Sequence, residues 1–268
     1  MANKTILKWA GSKSRIMDKL LPHLSAGRRL VEPFVGSCAV MMNTDYPAYF
    51  IADINNDLIH LYRAILWDVE RFIDESSKFF SEGNRQDTYY RHRSDFNTCA
   101  KAKLFLYLNR HGYNGLCRYN AAGQFNVPFG RYKKPYFPEH EIRAFYEKAQ
   151  YCEVNMSCLA WQDTLTLVDY GDVVYCDPPY LTNMGAFTQY YQSAFTPADH
   201  ELLAVNLHTL NNDLGVPVTV SNSIAAKELY ADLGFTIHEI DAPRTIAANG
   251  NRQPAREIIA VLEGRHDG

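Results

Sequence analysis

The chain has no CxxC pair and no apolar run of membrane-spanning length. Its six cysteines, Cys38, Cys99, Cys117, Cys152, Cys158 and Cys176, are scattered. Neither a disulfide framework nor a bound metal is expected, and most of the thiols are expected in the core. Lys8 interrupts the only apolar stretch near the N-terminus, which therefore does not read as a signal peptide. No solenoid or propeller period and no low-complexity tract occurs. The GxGxxG spacing of dinucleotide-binding turns is also missing, because Cys38 and Ala39 follow Ser37. That speaks against a nicotinamide oxidoreductase.

Acid is missing where base is concentrated. From Phe96 to Pro138 there are seven Lys or Arg and no Asp or Glu. The first 17 residues hold Lys4, Lys8, Lys13 and Arg15, again without an acid. The rest of the chain is strongly acidic, so the formal net charge is −3. Basic stretches on an acidic body suggest one face built for a polyanion. A solvated basic surface would have the same composition.

What is present is ordinary globular material: 268 residues, 47% hydrophobic and 21% charged. Seven short runs rich in Val, Ile, Tyr and Phe read as strands: Arg29–Phe34, Tyr49–Ile54, Tyr151–Asn155, Val173–Asp177, Pro217–Asn222, Phe235–Ile240 and Glu257–Leu262. Helical patterns separate most of them. Ser14–Leu24 puts Ile16, Met17, Leu20, Leu21 and Leu24 on one face, and Pro197–Leu210 follows Thr196 as N-cap. Apolar strands alternating with helices imply an α/β fold, a mostly parallel sheet covered on both faces. The alternation fails between about Leu58 and Gln150. That stretch reads as helical to about Asn109, then as a Gly- and Asn-rich piece with a hairpin turn at Asn120-Ala121-Ala122-Gly123. It reads as a lobe, 58–144, inserted into a domain made of 1–57 and 145–268.

Three motifs fall at strand ends, where open α/β sheets bind ligands. Asp177-Pro178-Pro179-Tyr180 follows the run Val173–Cys176. Two prolines stiffen the turn and remove two backbone donors. The aspartate and a neighbouring carbonyl can then accept both hydrogens of an amino group, and the tyrosine offers a ring for stacking a base. A rigid turn with a capping Asp is the plainer alternative. Val31-Glu32-Pro33-Phe34-Val35-Gly36-Ser37 ends the first strand, and its glycine permits close approach of a ligand to a strand-to-helix turn. Ala52-Asp53-Ile54-Asn55 ends the second, with an acid where nucleotide-binding sheets accept from ribose hydroxyls. A helix cap explains that acid equally well.

Taken together, these pieces resemble the DNA adenine methyltransferase (Dam) family. The matching segments are Leu7–Lys13, Val31–Gly36, Ala52–Asn55, the long block Tyr107–Pro138, Asp177–Tyr180 and Phe187-Thr188-Gln189-Tyr190, spread over nearly the full length. The long block is the most specific. Two positions depart from the pattern: Cys38 stands where relatives often carry a second glycine, and Ser12 where a glycine is common.

The resemblance implies a seven-stranded, mostly parallel sheet of the Rossmann-like methyltransferase type with a helical target-recognition lobe carrying a β-hairpin. It implies transfer of a methyl group from S-adenosylmethionine to N6 of an adenine flipped out of double-stranded GATC. Trp9, Lys13, Phe34, Gly36, Asp53 and Asp177 would contact the cofactor. Asp177, Pro178, Pro179 and Tyr180 would form the catalytic motif holding the adenine. Tyr113 and Asn114 would wedge the opened stack, Arg118 would read a base edge beside Leu116, Pro128, Arg131, Tyr132 and Lys133, and Lys8 would reach a guanine. The expectation is a cytoplasmic monomer without metal or membrane. Two alternatives stand beside it: methylation of the N4 amino group of cytosine, which the same pocket logic serves, and an inactive DNA-binding relative.

Overall fold

The structure is a computed structural model, and it describes residues 2–181, 195–243 and 255–265. Seven strands form one sheet: β1 Arg29–Glu32, β2 Ala48–Asp53, β3 Glu153–Cys158, β4 Asp172–Cys176, β5 Val218–Ser223, β6 Thr236–Ala242 and β7 Ala255–Leu262. Their order is β3-β2-β1-β4-β5-β7-β6. β1 to β5 run parallel, and β7 is antiparallel to both β5 and β6. The seven-stranded, mostly parallel sheet expected from the sequence is borne out.

Near-continuous apolar strands are needed because both faces of the sheet are covered. Successive residues of a strand point to opposite faces. Thus Leu30, Val173 and Tyr175 join one apolar cluster, while Val31, Val174 and Cys176 join the other. The second cluster is closed by α7 Trp161–Leu165, α8 Pro197–Leu214 and α9 Lys227–Ala231, through Leu165, Leu203, Leu207 and Tyr230. Thr196 and Asp199 cap α8 reciprocally, Pro197 stands in its first turn, and Gly215 ends it at φ +66°.

The first cluster continues from the sheet into the inserted helices α2 Asn56–Trp67, α3 Val69–Ser81, α4 Gln86–Thr98, α5 Ala102–His111 and α6 Glu139–Tyr151. Asn55 caps α2 by accepting from the backbone of Asp57 and Leu58. Beyond α5 the chain turns at Asn120–Gln124. Isolated antiparallel bridges Tyr119↔Phe125 and Gly112↔Phe129 stand in place of a regular two-stranded ladder.

Two local expectations change. Ser14–Leu24 is not one helix but a 3-10 turn at Lys13–Arg15, the short α1 Met17–Leu20 and a second 3-10 turn at Leu21–His23. Pro22 explains the second of these breaks, since its ring clashes with the Asp18 carbonyl and it lacks an N–H. No α-helix follows β1 directly either. Gly36 and Cys38 lie at φ +48° and +58°, which interrupts a right-handed helix, and turns lead to a 3-10 segment at Met41–Asn43. All six cysteines are free, but only Cys38 and Cys176 are buried, fewer than expected. Among the described residues no helix is long and apolar enough to cross a membrane.

Candidate active site and DNA face

Strand order reverses between β1 and β4: the chain leaves β1 for β2 on one side, and β4 lies on the other. Such a switch point opens a crevice at the carboxyl ends of the strands. Here it is a cavity of about 370 Å³. Glu32 to Gly36 enter it from β1, Asp53 from β2 and Asp177 to Tyr180 from β4, and the N-terminal segment supplies Trp9 and Lys13. The structure therefore brings together every residue expected at the cofactor and in the catalytic motif. Phe187–Tyr190, the remaining matching segment, lies outside the described residues.

Specific contacts hold these side chains in place. Lys13 is buried, and its ammonium pairs with Asp177 Oδ2 at 2.6 Å and donates to the Gly11 carbonyl at 2.7 Å. It lies 4.9 Å from the centre of the Tyr180 ring. The Tyr180 hydroxyl donates to Glu257 Oε2 at 2.7 Å. Asp53 accepts from the backbone N–H of Gly36 at 3.1 Å and of Asn55 at 2.9 Å. Tyr62 donates to the Gly36 carbonyl at 2.7 Å, which fixes the turn from the side of α2. A side chain at position 36 would meet the Trp9 indole nitrogen at 2.6 Å. Glycine is required there twice over, by φ and by space. Cys38 adopts a left-handed backbone, φ +58°, a conformation that ordinarily favours glycine. Ser12 bonds Ser37 through their hydroxyls at 2.9 Å and so ties the N-terminal segment to the same turn.

The electrostatics are lopsided. Among the described lining residues, the carboxylates of Glu32, Asp53, Asp177 and Asp199 accompany one ammonium, Lys13. Burial pushes Asp53 up to about 6, against the N–H groups of Asn55 and Gly36 that favour its anion. Burial also pushes Asp177 up to about 6, opposed by Lys13 and reinforced by Glu257. Glu32 goes furthest, to about 8, through burial and the neighbouring Asp177, despite a backbone hydrogen bond from Met41. Its Oε1 is buried without a hydrogen-bond partner among the described residues. Burial of a carboxyl group beside other acids favours its neutral, protonated form.

The residues expected to meet DNA gather on the loop after α5. The Tyr113 backbone N–H donates to the Pro128 carbonyl at 2.9 Å, and the Tyr113 ring is exposed. Asn114 has φ +53°. Leu116 packs on the apolar cluster behind the loop. Arg118 is exposed and donates to the Asn126 side chain at 2.8 Å. Arg131 and Lys133 are exposed. Lys8 lies with its ammonium 3.8 Å from the Tyr132 ring centre, and its backbone is held on both sides by the Asn109 side chain, at 2.9 and 2.7 Å. Gly115 lets it in, since a side chain there would strike the Lys8 stem.

Glu32, Ser37, Tyr62, Asn109 and Glu257 were not assigned roles from the sequence. Glu32 carried one signal, an acid closing an apolar strand. Glu257 carried none, because it comes from an antiparallel strand far along the chain.

The sheet order and the motifs at its switch point define a Rossmann-like methyltransferase. A family model described as "D12 class N6 adenine-specific DNA methyltransferase" matches residues 9–246, and the chain belongs to that family. It is 51% identical to the Retron Ec67 DNA adenine methylase of Escherichia coli, over 97% of this chain and 92% of the relative. It is 44% identical to the DNA adenine methylase of Serratia marcescens, over 97% and 98%. The DNA adenine methylase of Escherichia coli strain K12 is 42% identical over 97% and 96%. The protein is an adenine-specific DNA methyltransferase acting at N6, and its substrate is DNA. Membership in an adenine-specific family decides against cytosine N4.

Proposed function

We propose that S-adenosylmethionine is the methyl donor, and that the target is the adenine of double-stranded GATC, flipped out of the helix. One observation carries the choice of donor: the cavity at the switch point holds four acidic side chains, Glu32, Asp53, Asp177 and Asp199, against one ammonium, with Glu32 Oε1 unpartnered among the described residues. That surplus of acid suits a ligand bearing a sulfonium and an ammonium. Trp9, Lys13, Phe34, Gly36, Asp53 and Asp177 would hold it, with Asp53 toward its ribose hydroxyls. Bound there, the cofactor supplies an electrophilic methyl group.

This chain's residues then do the positioning. Adenine N6 is a weak nucleophile, and alignment matters more than acid–base strength. Asp177 and the Pro178 carbonyl would accept the two N6 hydrogens and stabilise the positive charge that grows on nitrogen. Pro179 stiffens the turn and Tyr180 offers its ring to the base. Removing the base from the stack costs a few kcal/mol, roughly. Contacts from the acid-free lobe would offset it: Tyr113 and Asn114 at the vacated space, Arg118 and Lys8 at base edges, Arg131 and Lys133 at the backbone, with Leu116, Pro128 and Tyr132 shaping the surface. The division into a catalytic domain of 1–57 and 145–268 and a recognition lobe of 58–144 belongs to this reading. So does action as a cytoplasmic monomer.

The test is expression in a methylation-free host. Its DNA should resist an enzyme blocked by methylated GATC and yield to one that requires it. The reverse cutting pattern would overturn the GATC assignment.

A further inference from the structure

We propose that Glu257 is a positioning residue for methyl transfer: it anchors Tyr180 by its hydroxyl. The inference rests on the roles proposed above for Asp177 and Tyr180. Tyr180 brings a polar hydroxyl into the site, and a largely buried tyrosine needs a partner for it. Glu257 Oε2 is that partner at 2.7 Å, and a carboxylate acceptor makes the bond charge-assisted. Glu257 makes no ion pair among the described residues, so its charge is not neutralised by a described base.

Its support is rigid. Glu257 stands on β7, opposite Ser223 of β5 and Ile240 of β6. The same strand ends grip the next residue of the loop: Leu181 donates its N–H to Asn222 at 3.2 Å, and Ser223 donates to the Leu181 carbonyl at 2.5 Å. The turn after β4 is thus tied down by β5 and β7, and Glu257 is the contact that reaches the ring. The ring in turn lies 4.9 Å from the Lys13 ammonium that pairs with Asp177. Glu257, Tyr180, Lys13 and Asp177 form one chain of contacts across the site.

The groups facing Asp177 are Lys13 from the N-terminal segment, Glu32 from β1, Tyr175 and Cys176 from its own strand, Tyr180 from its own turn and Glu257 from β7. Lys13 favours the Asp177 anion, and Glu257 opposes it. Removing the charge of Glu257 should therefore let Asp177 ionise at lower pH.

The experiment measures single-turnover methylation of a GATC duplex from pH 5 to 8, with KM for DNA and thermal unfolding, for wild type, E257A, E257Q, Y180F, the double variant E257A/Y180F and D177A. E257A should lose about 10- to 100-fold in rate with little change in KM, the scale of a misplaced reacting group. Y180F should lose a similar factor, and the double variant no more than either, since both remove one interaction. E257Q, whose amide oxygen still accepts, should recover most of the rate and move the acid limb to lower pH. Wild-type rates for E257A beside an inactive D177A would overturn the inference while leaving the site reading intact. So would additive losses in the double variant. If E257A does not fold, Y180F, which breaks the same hydrogen bond from the other side, decides: a wild-type rate for Y180F would overturn the inference. Normal turnover of D177A would overturn the site reading itself, and the inference with it.

Discussion

The Lys13 ammonium lies 2.6 Å from Asp177 Oδ2, although one residue opens the chain and the other follows the fourth strand. The ammonium is buried, so this pair cannot be read as a surface ion pair worth a fraction of a kcal/mol. Truncating one partner leaves the other charge uncompensated. Asp177→Ala is expected to lower turnover by about 10²–10³ or more, the scale for removing one preorganised electrostatic interaction. Its Tm should fall as well, because Lys13 is left without its anion. Since Asp177 ionises near 6 in the folded protein, kcat/KM of the wild type should be retained above that pH and fall as pH drops through it. An acid limb near pH 4 would show that some other group controls it.

Glu32 supplies a stability prediction of unusual sign. Its folded-state value of about 8 lies above its ordinary 4.5. Between those values the folded protein binds a proton that the unfolded chain has released. Stability should therefore decline as pH rises from about 4.5 to about 8 and level off above, the reverse of a salt-bridged carboxylate. Glu32→Gln should remove that decline, so that its Tm exceeds wild type at about pH 8.5 but not at about pH 4. Above about pH 8, where Glu32 is ionised, the same change should weaken cofactor binding, read by calorimetry, by removing a negative charge from the cavity. Parallel Tm–pH curves for the two proteins would contradict the assignment.

Gly36 tests the cradle without touching a charge. An added methyl meets Trp9 at 2.6 Å on a backbone already at φ +48°. Gly36→Ala should destabilise the protein by about 1–3 kcal/mol from backbone strain. It should also weaken S-adenosylmethionine binding at least tenfold, while DNA affinity in the absence of cofactor stays close to wild type. Unchanged cofactor affinity would move the donor away from this turn.

Reading and holding should separate on the lobe. Arg118 is oriented by Asn126 and exposed, and an Arg facing guanine gains about 1–3 kcal/mol over a wrong base. Arg118→Ala should relax discrimination at one position of GATC, seen as initial rates on each single-base variant. Neutralising the exposed Lys133 and Lys134 should instead weaken all sequences alike. It should also flatten the dependence of log K on log salt by about 0.9 for each phosphate no longer neutralised. A uniform loss for Arg118→Ala would place it on the DNA backbone instead.

Much of this architecture was legible before any coordinate. Seven apolar runs became seven strands, because a sheet covered on both faces leaves a local trace of consecutive Val, Ile and Tyr. Asp53, Gly36 and Asp177–Tyr180 were recognisable because each ends such a run, and strand ends are where an open α/β sheet binds. The sequence by itself thus determined the strands and the chemistry-bearing turns. Only the tertiary structure decided which turns meet. Strand order put β1 beside β4, and with them Glu32 near Asp177; the N-terminal segment folded back to set Lys13 on Asp177 and Lys8 against Gly115 and Tyr132. The paired antiparallel strand β7 delivered Glu257 to Tyr180. Periodicity and turn propensity act over a few residues, whereas burial and charge pairing depend on what the sheet order makes adjacent. A protonated, buried Glu32 and a shifted Asp177 exist only once distant strands enclose one cavity.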